Sequence, residues 1–434
     1  MLNTHVIRLG THAEKDYLLR AYDWFDEVAI NANLVEAAAS SLGIFLTELR
    51  QKDKGYFIDP VTYAFALAPD YLMRKTGEEV SKTNLKRTFR GLSSNYGTII
   101  GQYAGVNPLI PDYLSSEAAQ DELCRCVLNY QIDKINQALN ENANFLLDET
   151  EIEPLRPTKY IGPYFHLSGD MEWLPINIAL AARPYCVELK AWVVVCIDSL
   201  LLDSNSSINT IVSEYSALKT PGYLLWATDF EEERATEGQI RGLMTLVRGL
   251  SNGGAKQVID MFGGYFSCLL AENGLTGFSH GLGYGERRDI TPVLGGGLPP
   301  ARYYLPAIHQ LIRIDQLASI ASRLDAVSFP QRICDCLICH GLLQQGLDFL
   351  IQQYTATETN LVRGVFRQRS TPQVYRLTRF HYLHNKHLEF QSCNANSCND
   401  LLRELDASYQ NFKNQLGSTT LSYLRTWNRA LSGH

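Results

Sequence analysis

Three cysteines fall together in Arg332-Ile-Cys334-Asp-Cys336-Leu-Ile-Cys339-His340, in C-x-C-x-x-C spacing. Thiols this near in sequence are too close for strain-free disulfides with one another. They suit three thiolates gathered around one metal ion. Zinc takes four nitrogen or sulfur ligands tetrahedrally, and a site filled by four protein ligands has no open position for chemistry. The spacing therefore predicts a structural zinc, closed by a fourth ligand from further along. The best source is Arg379-Phe-His381-Tyr-Leu-His384-Asn-Lys-His387, which holds three of the chain's ten histidines. His381 and His384 are both candidates. The competing reading is three buried thiols and a solvated, histidine-bearing helix, but thiol clusters without metal are rare in reducing compartments.

A second constellation is Gly281-Leu-Gly283-Tyr-Gly285-Glu286, followed by Arg287 and Arg288. Alternating glycines let a planar ligand or a phosphate approach the backbone closely. The spacing is not that of a dinucleotide fingerprint, and a plain turn is the competing reading. Glu286 can accept hydrogen bonds from an N–H-rich heterocycle, and the two arginines can hold a phosphate. Asp59, Asp170, Asp198, Asp229, Asp260 and Asp325 all lie at or just after apolar runs. Several acids at strand ends suit covalent or acid/base work, although Asp is also a favoured helix N-cap. No Ser-His-Asp constellation, Walker A loop or H-E-x-x-H motif is present.

These residues need a scaffold of alternating strands and helices. Strand-like runs begin at His5, Glu27, Gly55, Gly162, Ala191, Gly222, Lys256, Gly274, Arg302 and Leu324, with helical spans at 13–25, 35–52 and 237–250 between some of them. Such alternation indicates βα units and a mostly parallel sheet. Ten strand candidates compete for the eight positions of a (β/α)8 barrel, so two are wrong or lie outside it. Residues 70–157 interrupt the rhythm as a polar, helical insertion. Lys82, Lys86, Arg87 and Arg90 share one of its helical faces, which reads equally well as solvated surface or phosphate contact. The chain after Cys339 reads as helical, with a basic stretch over 360–390 and amphipathic helices over 399–431. The expected organisation is a barrel over 1–330 and a zinc-binding helical subdomain over 331–434.

Composition is that of an ordinary globular protein: 434 residues, 45% hydrophobic and 20% charged, with net charge −7. The global charge does not recruit nucleic acid, so such a partner needs a local basic patch. The N-terminus lacks the apolar core of a secretory signal, and no run approaches the ~18 apolar residues of a membrane span. A cytoplasmic protein with reduced thiols is expected, with no membrane partner.

Taken in order, these pieces resemble the tRNA-guanine transglycosylase superfamily. His5-Val-Ile-Arg-Leu-Gly-Thr11 looks like its opening P-V-G-T strand, and Ala29-Ile-Asn-Ala-Asn33-Leu like its L-x-N-T-Y-H-L strand. Phe57-Ile-Asp59-Pro-Val-Thr-Tyr-Ala-Phe65 sits where the family has D-S-G-G-F-Q. Leu275-Thr-Gly-Phe-Ser-His-Gly-Leu-Gly283-Tyr-Gly285-Glu286 is similar to G-x-A-I-G-G-L-x-V-G-E. Arg302-Tyr-Tyr-Leu resembles R-Y-L-M, and Leu324-Asp325-Ala-Val-Ser-Phe-Pro330-Gln-Arg332 resembles F-D-x-V-x-P-T-R. The cysteine spacing matches the family's zinc signature. The chain departs from the pattern at Pro60-Val-Thr, in Asp325 lying only nine residues before Cys334, and in the long span from Cys339 to the histidines. A register shift would put Ser328 at the nucleophile position. A Glu eight positions on, Glu389, favours His381 as the fourth ligand.

The divergence resembles the DNA-modifying branch, the DpdA-type DNA-guanine transglycosylases, more than the tRNA enzymes. The resemblance implies a zinc-bearing (β/α)8 TIM barrel that exchanges guanine in DNA for a 7-deazaguanine such as 7-cyano-7-deazaguanine. Asp325 would attack C1′ to form a covalent ester, and Asp59 would contact the exchanged base and serve acid/base chemistry. Gly281, Gly283, Gly285 and Glu286 would bind the base. Arg287, Arg288 and the 363–386 stretch would grip phosphates. Homodimerisation and partner proteins of a DNA-modification system belong to the same expectation. Two other outcomes are a tRNA-directed enzyme and a catalytically silent barrel subunit that binds a partner.

Overall fold

The computed structural model describes residues 1–74, 85–141, 153–254, 256–282, 289–291, 300–362 and 365–432. The chain divides into two compact units. One is formed mainly by Met1–Glu231 and Gly238–Gly281, the other by Leu294–His434 with Glu232–Glu237.

The first unit is built on a parallel sheet. Its strands are β1 (Thr4–Leu9), β2 (Glu27–Asn31), β3 (Gly55–Asp59), β4 (Val193–Asp198), β5 (Gly222–Thr228), β6 (Gln257–Asp260) and β7 (Gly277–His280). Their order is β3-β2-β1-β7-β6-β5-β4. This is a seven-stranded parallel sheet, not the closed eight-stranded barrel the sequence predicted. The strand expected from Gly162 does not form. Residues 159–167 instead make single parallel bridges, Lys159 to Phe57 of β3 and Leu167 to Ile197 of β4. The reason is visible in the sequence. Gly162-Pro163 interrupts the run, and proline has no N–H to give a ladder. The Gly162 and Leu167 N–H groups still reach Trp192 and Cys196 carbonyls, at 3.0 and 2.9 Å.

Strand register sorts the side chains. Arg8 pairs with Ala29, Ala29 with Phe57, Asn31 with Asp59, Cys196 with Trp226, and Asp198 with Thr228. Residues opposite one another share a face, and every second residue does too. Val6, Ala29, Phe57, Val194, Cys196, Leu224, Trp226 and Ile259 form one buried cluster on that face, with Ile161 and Tyr164 of the irregular segment. The same face, followed to the strands' carboxyl ends, carries Arg8, Asn31, Asp59, Asp198 and Thr228.

Helices flank the strands as expected. Ala32–Arg50 starts where Asn31 Oδ1 accepts from the Asn33 N–H, and it buries Val35, Leu42, Phe45, Leu46 and Leu49. Glu237–Ser251 buries Ile240, Leu243, Met244, Leu246, Val247 and Leu250. The insertion is largely helical where described, with Glu117–Glu141 as its longest element and an antiparallel bridge between Met73 and Leu85.

The two surplus strand candidates are resolved in the second unit. Arg302–Leu305 is β8, and it pairs antiparallel with β9 (Gln310–Arg313). Leu324–Phe329 is not a strand; it is a turn leading into the helix Ser328–Arg332. The tail holds the helices Leu337–Leu343, Leu347–Thr355, Pro372–Ala395, Cys398–Leu416 and Ser422–Ser432. It is not wholly helical: β10 (Thr357–Val362) and β11 (Val365–Ser370) form an antiparallel hairpin between the second and third of these.

Candidate metal centre and carboxylate site

In the second unit, Cys334, Cys336, Cys339 and His381 are all buried, and their ligand atoms lie within 4.8 Å of one another. His381 Nδ1 is 3.2 Å from Cys336 Sγ, 3.4 Å from Cys339 Sγ and 4.0 Å from Cys334 Sγ. The cysteines bracket the start of the helix Leu337–Leu343. The Cys336 N–H donates to Cys334 Sγ, and the Cys339 N–H to Cys336 Sγ. His381 comes from the middle of Pro372–Ala395, a helix capped by Thr371.

The imidazole is oriented from behind. Its Nε2 donates to the Tyr304 carbonyl of β8 at 2.7 Å, and its ring stacks on Tyr303 at 4.1 Å. Donation from Nε2 leaves the Nδ1 lone pair facing the thiols, the arrangement by which an outer partner fixes a metal-binding histidine. Cys339 Sγ is also contacted by the hydroxyls of Tyr303 and Tyr354. His384 is not part of the cluster. Four buried donors with no solvent-facing member can hold one metal ion.

Beside this cluster is a buried ion pair. Lys386 Nζ lies 2.9 Å from Glu389 Oε2 and 2.7 Å from the Tyr304 hydroxyl. That hydroxyl and His309 both bond Glu389 Oε1. Burial pushes the Glu389 carboxyl up, but the Lys386 ammonium and these hydrogen bonds win and hold it down at about 2. Glu389 thus ties the metal-bearing helix to β8 and the turn after it.

In the first unit, Asp59 ends β3 and is buried. Its Oδ1 accepts from the Tyr164 hydroxyl at 2.8 Å and from the Val61 N–H at 3.0 Å. Burial pushes its carboxyl above the usual range, against the opposing pull of those two donors and of Arg8. Val61 reaches back by taking a left-handed backbone, φ 50°, a strained choice for a β-branched residue. Aromatic rings surround this end of the sheet. Tyr63 packs edge-on to Trp226, Trp226 stacks on Phe262 at 4.8 Å, and the Arg8 guanidinium sits 3.8 Å from the Phe262 ring centre. Asp59 with Arg8, Tyr63, Tyr164, Trp226 and Phe262 therefore forms a largely buried aromatic and carboxyl site.

The remaining acids separate by position. Asp198 shares the face of Asp59, and its Oδ1 caps the Leu200 N–H. His166 Nε2 lies 3.0 Å from Thr228 Oγ1, and burial lowers its basicity while Asp198 opposes that. Asp229 follows β5 at a left-handed φ of 59°. Partial burial and the neighbouring Asp289, Asp198 and Glu231 push its carboxyl up to about 6. Asp260 points to the opposite face, where it accepts from Ser267 Oγ and the Phe262 N–H. Asp170 is exposed and bonded to Ser168.

Asp325 is not at a strand end. It is exposed in the second unit, where Oδ1 accepts the Ser328 N–H at 2.7 Å and holds the carboxyl below its usual range. It works there as a cap of the Ser328–Arg332 turn, because Ala326-Val327 turn where a strand would have to run on. Gly281 is buried, and its carbonyl accepts from His280 Nδ1 at 2.7 Å. Gly283, Gly285, Glu286, Arg287 and Arg288 lie outside the described residues, as does Lys82.

The sequence reading missed Arg8, Tyr63, Tyr164, His166, Trp226 and Phe262. One signal was available: Arg8 is a lone charge at an inward position of an otherwise apolar strand. The fold and its clusters define an α/β protein with a buried cysteine–histidine cluster able to hold a metal ion and a buried carboxyl site. No family model matches the chain, and no curated protein matches it. Among the described residues, no helix is long and apolar enough to cross a membrane.

Proposed function

We propose that this protein is a base-exchange transglycosylase acting on nucleic acid, with DNA as the acceptor and a 7-deazaguanine as the incoming base. The observation that carries the reading is Asp59. It is a buried carboxyl with a raised proton affinity at a strand's carboxyl end, beside the rings of Tyr164, Tyr63, Trp226 and Phe262. Enzymes that work on a base must take it out of the stack, and they hold it by stacking and edge hydrogen bonds.

The exchange is a double displacement. A carboxylate oxygen forms an ester with C1′ as the C1′–N9 bond breaks, and the departing guanine takes a proton. The incoming 7-deazaguanine gives up a proton and displaces the ester, with net retention. Asp59, whose proton affinity burial raises, is the group placed to donate the proton and recover it. The resemblance makes Asp325 the nucleophile. Its exposed place outside the sheet favours instead an acid from the first unit, Asp198 or Asp229. Glu286 contacts the heterocycle, and Arg287 and Arg288 hold phosphates. The scaffold in this reading is the seven-stranded parallel sheet, with the 159–167 segment bridging β3 and β4.

The metal is zinc, held by Cys334, Cys336, Cys339 and His381. Soft thiolates with one imidazole suit zinc, and four protein ligands make the site structural. Its contribution is to tie Pro372–Ala395 to the cysteine turn, and no step of the exchange passes through it.

A second reading, a catalytically silent subunit, is favoured by the same exposure of Asp325. One experiment separates the two. Labelled guanine is offered with duplex DNA, single-stranded DNA and bulk tRNA, using wild type and the Asp59→Asn, Asp198→Asn, Asp229→Asn and Asp325→Ala variants. Label in DNA that is lost with Asp59→Asn supports the proposal, and the acid needed for a covalent adduct is the nucleophile. Label in tRNA alone overturns the choice of acceptor. No label in any acceptor leaves the silent subunit.

A further inference from the structure

The hairpin of β10 and β11 is not explained by the metal centre or by the carboxylate site. It rises between two elements that wrap the cysteines. Tyr354, near the end of Leu347–Thr355, contacts Cys339 Sγ at 3.5 Å. At the other end Thr371 caps the helix bearing His381, and its N–H donates to the Ala356 carbonyl at 3.2 Å, closing the hairpin's base. Its root is therefore held by the metal-binding elements.

The arm itself buries little. Leu361 and Phe366 are opposite one another in the ladder and are 63% and 75% exposed. Thr359 and Gln368 share their face. The other face carries Asn360 opposite Arg367 and Glu358 opposite Arg369. A two-stranded ribbon is marginal by itself, and a paired, exposed phenylalanine and leucine on one of its faces gain nothing from water. The surrounding sequence is one-sided in charge. From Arg363 to Arg379 it holds Arg363, Arg367, Arg369, Arg376 and Arg379 and no Asp or Glu. An exposed aromatic–aliphatic pair backed by guanidinium groups is complementary to a polyanion that also offers flat apolar surfaces. Nucleic acid is that partner: phosphates take up Arg contacts, and apolar side chains such as Phe and Leu insert at opened base steps.

We propose that the 357–370 hairpin is a nucleic-acid-binding arm. Phe366 and Leu361 lie against an unstacked base, and Arg367 and Arg369 against the adjoining phosphates. This deepens the transglycosylase reading, because it names the element that engages the acceptor strand, but the binding it predicts does not depend on base exchange.

The test is fluorescence anisotropy with a labelled single strand and with a duplex carrying one abasic site. The proteins are wild type, Phe366→Ala, Phe366→Trp, Arg367→Ala/Arg369→Ala, Arg367→Lys/Arg369→Lys, and a chain with 358–369 replaced by a short Gly-Ser link. Phe366 and Arg367 are exposed and Arg369 is half-buried, and one bound metal per chain serves as the check of folding. Phe366→Ala is expected to weaken binding by about 5- to 100-fold, the range for loss of one stacked base. Its salt dependence stays unchanged, and Phe366→Trp restores binding. The double Arg→Ala variant is expected to flatten the slope of log affinity against log salt by roughly 1 to 2, and the lysine pair restores it.

Affinities within twofold of wild type for all variants, including the hairpin replacement, overturn the proposal. So does hairpin-dependent self-association in sedimentation, or Phe366-dependent binding to anionic vesicles, with oligonucleotide affinity unchanged. The guanine-exchange assay is run in parallel. Hairpin-dependent binding without exchange sinks the transglycosylase reading and leaves the arm standing. Exchange with hairpin-independent binding does the reverse.

Discussion

At the scale of residues, the chemistry depends on which groups are held neutral, charged or metal-bound. Asp59 has its folded-state proton affinity raised above the unfolded value of 3.8. Such a group adds stability below that pH and loses it as pH rises through its folded pKa. Asp59→Asn removes that loss, so the variant should be more stable than wild type in urea at pH 7, with the gap closing at pH 4, while base exchange disappears. Lys386 and Glu389 are the opposite case, a buried pair that depends on both partners. Lys386→Met alone should cost about 3–5 kcal/mol, and adding Glu389→Leu should recover much of it, read by urea melts of the single and double variants. For the metal, His381→Ala should lose the bound ion and His384→Ala should keep it, measured by metal analysis of purified protein. The three cysteines were legible from spacing alone, because thiolate geometry is local. The Glu389 spacing favoured His381, while the Tyr304 carbonyl that orients its ring comes from a strand far away in sequence. Asp325 misled for a related reason: an acid after an apolar run marks a strand end only if the run is a strand, and Ala326-Val327 turn instead.

At the scale of elements, period and parity carried most of the reading. β1 to β7 each coincide with an apolar run in the sequence, and the helices Ala32–Arg50 and Glu237–Ser251 with amphipathic spans. The failures sit where local chemistry and partners compete. Gly162-Pro163 left one run without a ladder, and Arg302–Leu305 found an antiparallel partner that no pattern announces. The β10–β11 hairpin lacked any tight-turn signature, so a basic stretch read as helix. Helix Glu237–Ser251 illustrates how close the elements come. A Cβ on Gly242 would lie 2.0 Å from the Leu202 carbonyl oxygen. Backbone cannot yield as a flexible side chain can, so Gly242→Ala should destabilise by about 1–3 kcal/mol despite its better helix propensity. Thermal melts of Gly242→Ala against Gly341→Ala, where the space is open, check this.

At the scale of the whole molecule, the chain folds as two compact units, and among the described residues the candidate metal cluster lies in the second. Chelation should therefore lower one calorimetric transition and spare the other, and limited proteolysis of the chelated protein should preferentially clip the chain beyond residue 300. Coincident loss of both transitions would mean the units unfold as one. The sheet of the first unit has a consequence for biosynthesis. β1 lies between β2 and β7, so one of its edges stays bare until residues 277–280 have been made. At roughly 5–20 residues per second, the nascent chain carries an open, apolar strand edge for tens of seconds, the state in which strands pair with the wrong neighbour. Ribosome-bound chains stalled before β7 should need a holding chaperone to stay soluble, and those stalled after it should not.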